Sequence, residues 1–233
     1  MSFNGVQLSD VLAFVTCEQK DTFRTTISDW CKSENLLDYP WRQRRSKYDL
    51  LIAEILLRRT NARAVERKYG EFLARYPNLI SLRTAQSEEI QTIIGSLGLH
   101  WRLQNLAELA NYVSEQPESY ELPTSLSELM RLPGVGPYVA RAVLINTTGM
   151  RVVAIDANVV RVVCRYFGIS ASDNLRRNKA FQKFCDQLID SGLVASARSF
   201  NYALLDIGAL YCRAQNPKCS ICPLSVGGCK RAF

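Results

Sequence analysis

The chain has 233 residues, with 29 Lys and Arg against 22 Asp and Glu, and 47% of it is hydrophobic. The apolar content excludes a disordered or low-complexity chain, and the length suits one large or two small domains. The net charge of +7 points to an anionic partner, nucleic acid before a membrane surface.

Met1 to Val15 contains Asp10 and lacks a cationic start followed by a long apolar run, so an intracellular location without a signal peptide is expected. No stretch has the roughly 18 apolar residues that a membrane span needs. Residues 1–20 carry no motif and form an N-terminal extension with room for one helix. Residues 22–36 are predicted as a short helix, and YPWRQRRSK (39–47) follows as a basic, aromatic link. YDLLIAEILLRR (48–59) is strongly apolar and predicts a buried helix. The next helices cover 61–75, ended by Pro77, and 86–94, stopped by Gly95 and Gly98. From Trp101 to Val113, the set Leu103, Leu106, Ala107, Ala110 and Val113 has the spacing of an amphipathic helix. Ser125 to Arg131 is a short helix with Ser125 and Glu128 spaced as a capping box. A helix covers about 138–147, and Asp156 starts another that Gly168 ends. Two more cover 175–190 and 197–210. Strand-like alternation is absent, so the fold class is all-α, without a fixed-period repeat.

Leu132-Pro133-Gly134-Val135-Gly136-Pro137 lies between two helical patterns. Its glycines permit backbone angles closed to other residues and let the backbone approach a ligand. Backbone N–H groups at the start of the next helix make an anion site, and Pro137 suits a first helical position. A phosphate contact here would position nucleic acid without reading its sequence. Asp156 stands between the apolar run Val152–Ile155 and a helix start. Capping alone would explain an aspartate there. The cap and the helix dipole both favour its ionised form, and a fixed carboxylate is also a good electrostatic catalyst.

Lys47, Glu54, Arg58 and Asn61 fall on one stripe at the helical period. The spacing alone predicts a solvent-facing stripe with an i, i+4 Glu54–Arg58 ion pair. Cys212, Cys219, Cys222 and Cys229 have the spacing C-x6-C-x2-C-x6-C, which suits a tetrahedral zinc or a four-iron cluster. Cys17, Cys31, Cys164 and Cys185 have no ligand spacing, and Cys164 is expected in the core.

LPGVGPYVARAVL followed by AIDANVVRV resembles the helix–hairpin–helix superfamily of DNA glycosylases, from about Tyr39 to the C-terminus. The resemblance implies two helical domains with a DNA-binding cleft between them. A six-helix barrel would span 48–150, with the helix–hairpin–helix at about 125–147. Residues 21–47 and 151–233 would make an iron–sulfur cluster domain. In that family the aspartate matching Asp156 is catalytic: it stabilises the oxocarbenium-like sugar or activates water as a flipped base leaves. The glutamate matching Glu54 lines the base pocket. Endonuclease III-like members carry a Schiff-base lysine where this chain has Tyr138, which cannot form an imine, so base removal without strand cleavage is expected.

Arg58 and Arg59 replace the glutamines of the adenine-specific branch, and either can bond guanine or fill the gap left by a flipped base. Leu99 and His100 match a loop that contacts the opposite strand. The family's cysteine motif, C-x6-C-x2-C-x5-C, selects a [4Fe–4S] cluster over zinc, although this chain has one more residue before Cys229. The cluster would pin loop 213–218 so that Arg213 and Lys218 face phosphates. EILLRRT, Tyr138 and IDANVVRVVCRYFG resemble the thymine-DNA mismatch branch above all. The expected function is removal of thymine or uracil opposite guanine, by a monomer acting on double-stranded DNA. The alternatives are an adenine glycosylase, a glycosylase for another damaged base, and a non-catalytic DNA-binding module.

Overall fold

The computed structural model describes residues 8–33, 36–43, 46–98, 100–189, 192 and 196–230. Among these residues the regular elements are helices and no strand is present, as the sequence predicts. None of the helices is long and apolar enough to cross a membrane.

Helix α1 (Leu8–Ala13) precedes α2 (Cys17–Lys32). Helix α2 begins five residues before the predicted start because Thr16 and Gln19 form a capping box. Thr16 accepts from the Gln19 N–H at 3.2 Å, and the Gln19 side chain accepts from the Thr16 N–H at 3.0 Å. There follow α3 (Pro40–Gln43), α4 (Lys47–Leu57), α5 (Ala62–Arg75), α6 (Leu79–Leu82), α7 (Ser87–Ile94), α8 (His100–Ser114), α9 (Leu126–Leu129) and α10 (Pro137–Thr148). The last four are α11 (Ala157–Phe167), α12 (Lys179–Gln187), α13 (Ala197–Leu210) and α14 (Pro223–Val226). The sequence does not announce α6 or α14, since a four-residue turn is too short to carry a period. The single helix expected over 175–190 is divided. A 3-10 turn, Asp173–Arg177, is followed by Asn178, whose side chain accepts from the Phe181 N–H at 3.0 Å and starts α12 afresh.

The chain divides into two compact units, Asp38–Thr148, and Met1–Leu37 with Gly149–Phe233. In the first, α4 packs against α10, α5, α8 and α3. Leu50, Leu51, Ile52, Ala53, Ile55 and Leu56 are all buried, so α4 is apolar around its whole circumference and forms the unit's core helix. In the second unit α2 packs on α13, and α13 on α11. Phe23 of α2 is the hub of this packing, with ring centroids 4.7 Å from Tyr166, 5.1 Å from Phe167 and 6.4 Å from Phe200. Arg24 adds a polar tie, donating to the Leu188 carbonyl at 3.1 Å and the Gln187 carbonyl at 2.7 Å, which closes the end of α12.

Candidate active site

In the Asp38–Thr148 unit, α9 is capped by the Ser125 hydroxyl, which accepts from the Glu128 N–H at 3.3 Å. The Glu128 carboxylate bonds the Ser125 hydroxyl instead of the backbone, so the expected box closes through side chains. The hairpin follows. Val135 N–H donates to the Leu132 carbonyl and Ala140 N–H to the Gly136 carbonyl, at 3.1 and 3.0 Å. Leu132 and Val135 are buried, 3% and 7% exposed, so their side chains anchor the turn and only their backbone can meet a ligand. Gly134 adopts φ +75°, and a Cβ there would stand 2.9 Å from Asn105 Cβ. Gly136 has open space where a side chain would stand, which leaves room for a phosphate against its backbone. Tyr138, the second residue of α10, is half-buried.

The stripe does not face solvent as one: Asn61 is exposed, Lys47 and Arg58 are half-buried, and Glu54 is buried. Glu54 is 6% exposed within the core helix. Helix α4 ends at Leu57, so Arg58 and Arg59 sit in a turn and not on the helix face. Arg58 reaches the hairpin, donating to the Gly134 carbonyl at 3.1 Å, while its guanidinium lies 4.6 Å from the Trp101 ring centroid. Arg59 is exposed in the left-handed region at φ +57°. The fully buried Arg102 ties this turn down: it donates to the carbonyls of Arg58 and Gly98, at 2.8 and 3.1 Å, and to the Thr60 hydroxyl. Burial lowers its pKa, and the nearby Arg58 charge lowers it further. His100 is the exposed first residue of α8, not a loop residue; Leu99 lies outside the described residues.

In the other unit Asp156 is the N-cap of α11. One carboxylate oxygen accepts from the Val159 N–H at 2.8 Å and the other from the Asn158 side-chain amide at 2.8 Å. The amide is itself oriented, because Asn158 Oδ1 accepts from Arg161 at 2.7 Å. Arg161 also donates to the carbonyls of Gly208, at 2.9 Å, and Cys212. Gly208 lies inside α13, and a Cβ there would fall 2.7 Å from Asn158 Cβ; glycine is what leaves space for the asparagine. Burial raises the Asp156 carboxyl above its ordinary value, against the opposing pull of the Val159 and Asn158 hydrogen bonds. This reverses the direction expected from capping and dipole alone. The approach to Asp156 is held from afar: Val153 N–H donates to Asp186 and Ala154 N–H to Asn201, each at 2.9 Å. Asn201 in turn donates to the carbonyls of Val152 and Ala197 at 3.0 and 2.8 Å. Nothing in the sequence pattern singles out Asn158, Arg161, Asp186 or Asn201; the polar Asn201 inside the apolar run of α13 is the one available signal.

Cys212, Cys219, Cys222 and Cys229 line one cavity of about 240 Å³. Burial raises the Cys222 thiol, and the three other cysteines add to the effect, which marks the four as neighbours. Among the described residues no three His, Cys, Asp or Glu are already drawn together as a site for a metal ion. Four thiols on one cavity fit a centre with four thiolate ligands, a [4Fe–4S] cluster or a zinc ion. Arg165 braces the loop, donating to the Arg213 and Ala214 carbonyls at 2.7 and 3.2 Å, with Cys212 Sγ 3.5 Å away. Arg213 and Lys218 are exposed on this loop, with the Arg213 guanidinium bonded at 2.9 Å to the Asn216 carbonyl. Cys164 is 2% exposed, and burial pushes its thiol up to about 12, so it is an inert core residue.

Residues 52–187 match the HhH-GPD superfamily of base excision DNA repair proteins. The chain belongs to that superfamily, which bears out the resemblance seen in its hairpin and Asp156 motifs. It is 34% identical to a thymine-DNA glycosylase of Aeropyrum pernix, over 88% of this chain and 92% of the relative. It is 35% identical to a thymine/uracil-DNA glycosylase of Pyrobaculum aerophilum, over 89% and 90%. The solved structure of a thermostable thymine-DNA glycosylase, 33% identical, superposes with a TM-score of 0.80 over 92% of this chain and 97% of its own.

Proposed function

We propose that the chain is a monofunctional DNA glycosylase that removes thymine or uracil mispaired with guanine and leaves an abasic site. The observation that carries this reading is Asp156: a carboxylate raised by burial, yet fixed by hydrogen bonds to both oxygens. The choice of base follows the relatives, which are named for thymine and uracil and align along most of their length.

The target base is extruded from the duplex before chemistry. As its bond to C1′ breaks, the pair of electrons leaves with the base and positive charge develops on the sugar. Ionised Asp156 stabilises that charge, and its partly desolvated setting strengthens the attraction. Water then adds to C1′, and the proton it releases neutralises the departed base anion. Glu54 contributes a polar edge to the base pocket. Tyr138 borders the hairpin and offers no amine, so no imine forms and the strand stays intact. The backbone of Leu132, Gly134, Val135 and Gly136 takes phosphates, with Arg58, Arg59, His100, Arg213 and Lys218 as further contacts. The four terminal cysteines hold a [4Fe–4S] cluster that secures loop 213–218.

Duplexes bearing G·T, G·U, A·8-oxoguanine and thymine glycol, incubated with the protein and then treated with alkali, test this reading. Cleavage is expected for G·T and G·U, and cleavage of the adenine-containing duplex alone would overturn it. Borohydride is expected to trap no protein–DNA adduct. The purified protein is expected to be brown, with about four iron per chain; zinc without iron would refute the cluster.

A further inference from the structure

Arg102 stands on the buried face of α8 with Leu106, Leu109, Ala110 and Val113, a guanidinium on an otherwise apolar stripe. Burying such a group is costly unless its donors are met. Neutral oxygens of two separate turns meet them. One terminal nitrogen donates to the Gly98 carbonyl at 3.1 Å and to the Leu97 carbonyl at 3.4 Å. The other donates to the Arg58 carbonyl at 2.8 Å and to the Thr60 hydroxyl. Nε, also buried, meets no acceptor among the described residues.

Leu57 to Thr60 form a type II turn. The Thr60 N–H donates to the Leu57 carbonyl at 3.1 Å, Arg58 has φ −58° and ψ 114°, and Arg59 has φ +57°. Such a turn favours glycine or asparagine as the third of its four residues, because φ there is positive. An arginine in that place carries a left-handed penalty equivalent to about a 5–30-fold preference for another backbone form. The type I form is within reach. It differs by a flip of the one peptide between Arg58 and Arg59, and it returns Arg59 to negative φ. The carbonyl of that peptide is the one Arg102 holds. The guanidinium cannot follow a flip, because its other terminal nitrogen is fixed on Gly98.

We propose, taking Arg59 as a DNA contact, that Arg102 is a positioning residue for base removal: it locks the Leu57–Thr60 turn in its type II form and so aims the exposed Arg59 side chain. A flip moves the nitrogen of Arg59 to the other side of the turn, and the direction of its Cβ changes with it. Arg102 itself is fully buried and has no surface to offer DNA. A strained residue that its surroundings over-determine is the mark of a functional site. Lysine at 102 would not serve, since one ammonium cannot bridge two turns as a planar fork does.

Nuclear Overhauser spectroscopy on the full chain reads the turn directly, without DNA. A ψ of 114° at Arg58 brings its Hα close to the Arg59 N–H, so their cross-peak should be strong in wild type and weak in Arg102→Lys. Single-turnover base removal should fall by about 5–30-fold in Arg102→Lys, as the competent turn becomes the minor one. In an Arg59→Ala background the same substitution should cost about twofold or less, because no long side chain is left to aim. An unchanged cross-peak overturns the proposal. So does an equal rate loss in both backgrounds, which would make Arg102 a general support of the fold. Where Arg102→Lys does not fold, Thr60→Val removes one of the two anchors on the turn with little change of shape, and an unchanged cross-peak and rate there overturn the proposal. Failure of wild type to remove thymine or uracil would count against the glycosylase reading, while the cross-peak still decides whether Arg102 holds the turn.

Discussion

The hairpin and the segment that carries Asp156 are held in opposite ways. The hairpin is built from near-neighbour backbone bonds, Val135 to Leu132 and Ala140 to Gly136, around a glycine in the left-handed region. One longer tie, from Arg58, completes it. The approach to Asp156 depends on side chains 33 and 47 positions away, Asp186 and Asn201. Its carboxylate leans on an amide that a third residue, Arg161, keeps in orientation. A local frame fails when its backbone angles are disturbed. A remote frame fails when any distant polar partner is lost, because the N–H or C=O left behind is buried and unsatisfied.

The largest effect tests whether the remote frame exists to hold one carboxylate. Asp156→Asn keeps an oxygen for the Val159 N–H and so keeps the cap. Single-turnover base removal should nonetheless fall by about 10²–10⁴-fold, the scale of losing one acid–base or charge-stabilising group. DNA affinity should change little; activity at full rate would sink the mechanism. Next in size is Asn201→Leu, which leaves the Ala154 N–H and Val152 carbonyl without their partner. A loss of about 2–4 kcal/mol in urea unfolding is expected, as two or more buried groups go unsatisfied. Base removal should fall while binding to undamaged duplex persists. Equal losses of both would mean that the two regions share one frame.

This contrast explains what the sequence discloses. The hairpin, the cap at Asp156, the αL glycine at Gly168 and the cysteine spacing are all written within a few residues, and each can be read directly. Helix α4 is legible as a buried helix, but its end is not. Continuing the period through Arg58 makes a Glu54–Arg58 surface pair, whereas the chain turns after Leu57 and sends Arg58 to Gly134. Asn158, Arg161, Asp186 and Asn201 stay silent because their partners are brought together only by packing. The direction of the Asp156 shift is hidden for the same reason: capping is a local property, and burial is not.

Gly134→Ala attacks the local frame. At φ +75° an alanine carries a left-handed penalty of about 1–2 kcal/mol, and its Cβ meets Asn105 at 2.9 Å. Affinity for mispaired and undamaged duplexes should fall together, because phosphate contacts carry no base information. The salt dependence of binding should flatten, and weakened binding to mispaired duplex alone would argue that the hairpin reads the base. Gly136→Ala, where the added methyl meets nothing, should cost less in the fold and act mainly by obstructing the phosphate.

The smallest effect is the most specific. Asn158→Ala removes a hydrogen bond that favours ionised Asp156, so the carboxyl, already raised by burial, should rise further. The sign is that of a raised acid. Its contribution to folding stability is fully present below the unfolded value of about 3.9 and is lost as pH rises through the folded value. On the proposed mechanism activity runs the other way, since the ionised form is the one that stabilises the sugar. The acidic limb of the single-turnover rate in wild type should therefore lie above the ordinary aspartate range, and Asn158→Ala should move it to still higher pH. On the alkaline side of the limb the variant should recover most of the wild-type rate. A uniform loss at every pH, with the limb unmoved, would show that Asn158 only packs against Gly208 and does not hold the carboxylate.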